Sequence, residues 1–155
     1  MAAAGKPALY DVAPIMSTLA EAKVLLRQGR IDDAERMFEQ VLGQSPRDIE
    51  ALNAVALAAL RKSDPRRALA LLEQAVALQP AEPMSHYHLG RARSAMGDVQ
   101  GSLVSYATAV RLRPAFHVAR LHLLVTCLAQ FPAPFASIVL ISWCTTIGSL
   151  SSYTK

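Results

Sequence analysis

Cysteine, aromatic side chains and catalytic signatures are all scarce in this chain, and each shortage excludes something. The two cysteines, Cys127 and Cys144, offer no disulfide framework, which points to a reducing, cytoplasmic setting. Aromatics make up 6% of the residues against 52% for all hydrophobic types. A core built from Ala, Leu and Val follows, a composition suited to helices that approach closely. There is no glycine-rich phosphate loop, no Cys-x-x-Cys pair, no nucleophile elbow and no His-Glu-x-x-His. The chain is therefore expected to carry no catalysis of its own and no cofactor. The first residues hold no apolar run of signal-peptide length, and 1–14 read as a flexible leader. The formal charge of +4 is modest. It does not imply nucleic acid, and it favours an acidic protein partner.

What is present is a period. Pro46, Pro80 and Pro114 stand 34 residues apart, and each closes a segment with the same internal pattern, the mark of a repeated helix–turn–helix unit. The segments are 15–48, 49–82 and 83–116. Their eighth residue is small (Ala22, Ala56, Gly90), as is the twentieth (Ala34, Ala68, Ser102). The twenty-fourth is bulky (Phe38, Leu72, Tyr106), and the twenty-seventh is Val41, Ala75 or Ala109.

Small residues at two facing positions let a pair of helices approach at roughly 8 Å, the short end of the usual interaxial range. The bulky residue fills the space beside that contact. Proline cannot continue a helix, so it ends the second helix of each unit. The hinges contain Gly29 and Gly97; the middle unit has Ser63, followed by Asp64 and Pro65, where Ser or Asp can cap the next helix. Apolar spacing predicts helices near 15–28, 31–44, 49–62, 65–78, 83–96, 99–112 and 117–130. Asp32, Asp33 and Glu35 fall at a helix opening, where they favour the helix dipole. Gly101 is expected to weaken its helix by about 1 kcal/mol relative to alanine.

Period, small columns, bulky column and proline together resemble the tetratricopeptide repeat (TPR) family. The run from Gly29 to Phe38 is similar to that family's second-helix opening, although the aromatic often found at the fourth position is replaced by Thr18, Leu52 and His86. The resemblance implies an all-α, right-handed helical-repeat solenoid of three units plus a partial fourth, 117–130. It also implies a scaffold or adaptor whose concave groove, lined by the first helix of each unit, binds an extended peptide. Carried over column by column, the groove residues are Lys23, Arg27, Asn53, Arg61, Tyr87, His88, Arg91 and His122. The partial unit adds Val118, Leu121, Val125 and Leu128. Basic residues in those columns suit a peptide with acidic groups, held by charge-assisted hydrogen bonds; a merely solvated basic face is the bland alternative. The clamp by which one subgroup grips chaperone carboxyl termini is missing, since its positions hold Leu19, Lys23, Ala54, Met84 and His88. Repeats of this composition also resemble those preceding sulfotransferase, glycosyltransferase or aspartyl-hydroxylase domains, so a repeat portion or truncated copy of a larger enzyme is the alternative reading.

The histidines are poorly spaced for a metal. His86 and His88 point to different faces of a helix, and His117 and His122 are five apart. No metal is expected.

The last stretch breaks the pattern. Asp98 is the final acidic residue, and positions 121–154 hold no Asp, Glu, Lys or Arg. Where a hinge should follow Gln130 stands Phe131-Pro132-Ala133-Pro134, and the repeat's next proline position is Gly148. Three readings of 131–155 compete: a short membrane anchor through 135–150, a β-prone segment folded over the last helix, or a non-family end on a truncated array. The anchor reading is weakened by the many Ser and Thr residues. The uncharged run Ile138-Val139-Leu140-Ile141 is an aggregation liability in any of them.

Overall fold

A computed structural model describes the backbone of residues 12–130 and the side chains from Thr18 to Gln130. The expectations for 131–155 lie outside the described residues. Those residues form seven α-helices: α1 (Val12–Arg27), α2 (Ile31–Gln44), α3 (Ile49–Arg61), α4 (Pro65–Leu78), α5 (Pro83–Ala95), α6 (Val99–Leu112) and α7 (His117–Gln130). The period placed the other boundaries within about a residue. The first helix starts earlier than the apolar spacing indicates, at Val12, with Pro14 in its opening turn, where a missing N–H leaves no bond unmade. Among the described residues no helix is long and apolar enough to cross a membrane.

The hinges within the three units are closed by the same device. Arg30 N–H donates to the Leu25 carbonyl at 3.0 Å, Asp64 N–H to Ala59 at 2.9 Å and Asp98 N–H to Arg93 at 2.9 Å. Each is the six-residue closure that follows a left-handed residue at a helix end. The left-handed residues are Gly29 (φ +79°), Gly97 (φ +82°) and, without glycine's freedom, Ser63 (φ +61°). Ser63 thus supplies the turn, and the cap belongs to Asp64, whose carboxylate accepts from Arg67 N–H at 3.1 Å with Pro65 opening α4. Asp48 and Asp98 cap α3 and α6 in the same way, each accepting an N–H at 2.8 Å. At the far ends of α2, α4 and α6, Ser45, Gln79 and Arg113 turn to φ near −135° just before the three period-setting prolines, as the residue before proline must.

The chain divides into two compact units at Pro80/Ala81. In the first, α1 to α4, the repeated columns are core: Ala22, Ala34, Phe38, Ala56, Ala68, Leu72 and Ala75 are all fully buried. Alanines at columns eight and twenty allow the close helix approach, and Phe38 and Leu72 fill the space beside it. An ionic seam crosses the same unit. The Glu35 side chain, 6% exposed, accepts from Arg67 Nη1 at 2.7 Å and from Lys62 Nζ. Lys62 also reaches Asp32, and Arg67 reaches Glu39. The acidic opening of α2 therefore does more than favour its dipole: it ties α2 to the α3–α4 hairpin. The hydrogen bonds that Lys62 donates to the Asp32 and Glu35 carboxylates raise its pKa above the usual lysine value.

In the second unit, α5 to α7, column eight is Gly90 and column twenty-four is Tyr106. A Cβ at Gly90 would stand 2.6 Å from Tyr106 Cε1, so the absent methyl makes room for the ring. Tyr106 is 1% exposed and heads a core that includes Tyr87, Ala109, Ala119 and Leu123. Gly101 also has a packing reason. A Cβ there would meet Asp98 Oδ2 at 2.0 Å, displacing the carboxylate that caps α6 through Gly101 N–H. The loss of propensity expected from this glycine is offset by the cap it admits.

Candidate functional site

The groove columns fall on two faces, one in each unit. In unit 1 the face is made by α1 and α3. Lys23 Nζ on α1 pairs with the Glu50 carboxylate on α3, and Arg61 Nη1 donates to the Leu26 carbonyl at 3.2 Å. Those two contacts set the helices side by side with Lys23, Arg27, Asn53 and Arg61 on one surface. Arg27 and Arg61 are exposed and Asn53 is half-buried. The Lys23–Glu50 pair leaves both side chains about half in solvent, 41% and 53% exposed, so it holds the lysine only weakly.

In unit 2 the face is made by α5 and α7. Tyr87 is its centre: ring centroids lie 5.2 Å from His88, 5.2 Å from Phe116, 5.5 Å from His122 and 6.0 Å from Tyr106. The Arg91 guanidinium sits 6.0 Å from the same ring, at the outer limit of a cation–π contact. His88 is only 8% exposed, and among the described residues its Nδ1 has no hydrogen-bond partner. Burial, helped by the Arg91 charge, pushes its pKa down to about 4. His122 is shifted down for the same two reasons, and burial pushes the Tyr106 hydroxyl up to about 12. At neutral pH both imidazoles are therefore uncharged, and Arg91 is the one charged side chain in the groove columns of α5 and α7.

The eight expected groove residues are thus gathered four and four. One further feature carried no sequence signal. The Glu35 seam joins residues 27 and 32 positions apart, which no local pattern reveals. The four apolar residues that the family's columns assign to the groove on α7, Val118, Leu121, Val125 and Leu128, are 49%, 60%, 57% and 37% exposed.

Helices paired around small columns, with polar and aromatic side chains presented on the first helix of each pair, define an all-α helical-repeat module for protein interaction. The chain belongs to the tetratricopeptide repeat family, whose model matches residues 19–83 and again 56–115. Among solved structures, a mutant O-GlcNAc transferase of Thermobaculum terrenum is similar with a TM-score of 0.80 and 31% identity, over 90% of this chain. The chain spans 27% of that protein. The first TPR of Spaghetti (RPAP3), bound to an HSP90 peptide, is similar at 0.73 with 19% identity, covering 80% of this chain and 98% of that one. PcrH from Pseudomonas aeruginosa, in complex with the chaperone binding region of PopD, is similar at 0.71 with 16% identity, covering 79% and 98%. At those identities the last two share the fold alone. Comparison with curated proteins gives no significant match.

Proposed function

We propose that this chain is a non-catalytic adaptor that binds an extended peptide, with the α1/α3 face of unit 1 taking its acidic side chains. The observation that carries the reading is the grouping of Lys23, Arg27 and Arg61 on one surface. Lys23 exchanges its exposed Glu50 partner for a peptide carboxylate with little loss. Arg61, now donating to a backbone carbonyl, gains a charge-assisted bond. In unit 2, Arg91 makes the ionic contact, while Tyr87, His88 and His122 shape the surface beside it. Two structural neighbours bind peptides, which supports a peptide partner. Neither speaks to its acidity.

The test is a titration with a labelled Asp/Glu-rich peptide against the full chain and its Lys23→Glu, Arg27→Glu, Arg61→Glu triple variant. Binding should fall at least tenfold with helical content unchanged by circular dichroism. Equal binding by the two proteins would reject the assignment.

A second reading rests on the 31% identity to a transferase of which this chain spans little more than a quarter: the repeats are the interaction portion of a larger glycosyltransferase. Sequencing the coding DNA on either side decides it. An in-frame catalytic domain supports that reading, and in-frame stops on both sides rule it out.

A further inference from the structure

Unit 1 contains the repeat twice, and the two copies differ in what covers the outer side of the helix pair. In the later copy, α2 lies across the α3–α4 hairpin. Arg67 at column nineteen pairs with Glu35 and Glu39 of α2. Leu71 at column twenty-three packs on the core cluster that holds Phe38 and Val41 of α2. Gln74 at column twenty-six donates to the Pro46 carbonyl, just past the end of α2, at 3.4 Å. Ala59 at column eleven, on α3, is 1% exposed.

In the earlier copy the same four columns hold Asp33, Met37, Gln40 and Leu25. With Arg30 and Arg36 they line an open recess of about 400 Å³ between α1 and α2. Leu25 and Met37 give it an apolar floor, both only partly buried against the core. Columns that take a helix in one copy are therefore open in the other, among the described residues. None of them is a groove column, so this surface is distinct from the one that carries the proposed function.

Charge says what kind of helix fits. In the later copy the hairpin supplies the cations Lys62 and Arg67, and the helix across it supplies Asp32, Glu35 and Glu39. In the earlier copy the recess presents Arg30 and Arg36, 60% and 74% exposed, which share the single carboxylate of Asp33. Each oxygen of Asp33 holds one guanidinium, so both arginines stand at the rim with a surplus of positive charge. Exposed ion pairs of this kind rearrange at little cost. A helix with carboxylates three or four residues apart gains charge-assisted bonds here. One with basic flanks meets two guanidiniums and is repelled.

We propose that the α1–α2 recess docks an amphipathic helix of a separate protein, lying across the hairpin as α2 lies across α3–α4. Its apolar ridge covers Leu25 and Met37, and its Asp or Glu side chains meet Arg30 and Arg36.

The probe is a stapled 14-residue helix with Leu on one face and Glu on the flanks, with a Lys-flanked twin as control, titrated against the full chain. The Glu-flanked helix should bind at least tenfold more tightly than its twin. Arg30→Glu with Arg36→Glu should invert that preference. Gln40→Trp, which fills the recess, should weaken binding of the Glu-flanked helix tenfold or more. All three substituted side chains are exposed, so folding is retained, and thermal unfolding by circular dichroism checks this. The Lys23/Arg27/Arg61 reversal that tests the groove should leave the probe's binding unchanged. The proposal is overturned by absent binding, by equal binding of the twin, or by undiminished binding to Gln40→Trp. Loss of binding in the groove reversal also overturns it, because the helix then sits in the groove. So does a wild-type dimer that Gln40→Trp splits, since the occupant is then a second copy. A tenfold gain in binding on Leu9→Asp with Tyr10→Asp would assign the recess to the chain's own first residues and overturn it as well.

Discussion

Column eight and column twenty-four are Ala22 with Phe38 and Ala56 with Leu72 in unit 1, and Gly90 with Tyr106 in unit 2. Between the second and third pairs, volume moved from one side of the helix contact to the other while the bulky residues stayed buried. At this last contact the missing methyl of Gly90 and the ring of Tyr106 are matched to each other, since a Cβ there would stand 2.6 Å from the ring. The chemistry that surrounds the contact is then free to diverge. Unit 1 is laced by ions around a buried Glu35, and its core is mostly aliphatic. Unit 2 holds only two of the chain's 12 acidic residues, Glu82 and Asp98, and spends both on helix caps. It has all four histidines and a core of rings packed at tilted and edge-on angles.

Acid should separate the two units most strongly. His88 is neutral when folded, with a pKa near 4 against 6.5 in the unfolded chain, so unfolding takes up a proton between those values. Stability is therefore complete above pH 6.5 and declines as the pH falls toward 4, by about 3 kcal/mol for a gap of this size. His122 acts in the same direction. Unit 1 has no histidine, and the Asp33 carboxyl, held down by Arg30 and Arg36, titrates below its usual 3.8. Hydrogen exchange corrected for intrinsic rates should show α5–α7 losing protection across this window while α2–α4 keep theirs. Equal losses in both units, or an unaltered slope in His88→Leu, would break the contrast.

A smaller effect sharpens the volume argument. Gly90→Ala should destabilise unit 2 by about 1–3 kcal/mol, because the new methyl enters the Tyr106 ring. Adding Tyr106→Leu copies the Ala56/Leu72 pair of unit 1 and should recover most of that loss in urea unfolding. If the double variant is no better than the sum of the singles, the two columns do not trade volume.

The smallest concerns the hinges. Ser63 holds a left-handed backbone that Gly29 and Gly97 adopt freely. Ser63→Gly should stabilise unit 1 by about 0.5–1 kcal/mol, the left-handed strain relieved less the glycine entropy. A loss of stability instead would show that the serine hydroxyl does something the turn geometry does not account for.

Most of the fold was legible because the repeat shows the same constraint three times. Proline, the small columns and the bulky column act within one unit, through contacts that recur at fixed spacing. The candidate site was legible only as columns. That Lys23 meets Glu50, that Arg61 folds onto Leu26, and that His88 stands behind Tyr87 depend on which rotamers meet across neighbouring helices, and no period encodes that. Gly101 shows the same limit. Propensity marks it as a weakness, whereas its neighbour Asp98 needs the space it leaves.

The sequence by itself determined the family, the seven helices, their turns and the buried columns, because these follow from local backbone preferences and a repeated apolar pattern. Only the tertiary structure decided how each side chain is used. It turned Glu35 from a helix-opening acid into a buried tie and buried His88. It left the apolar side chains Val118, Leu121 and Val125 of α7 about half or more exposed. Burial is a property of what lies opposite, and what lies opposite is fixed by packing across the chain.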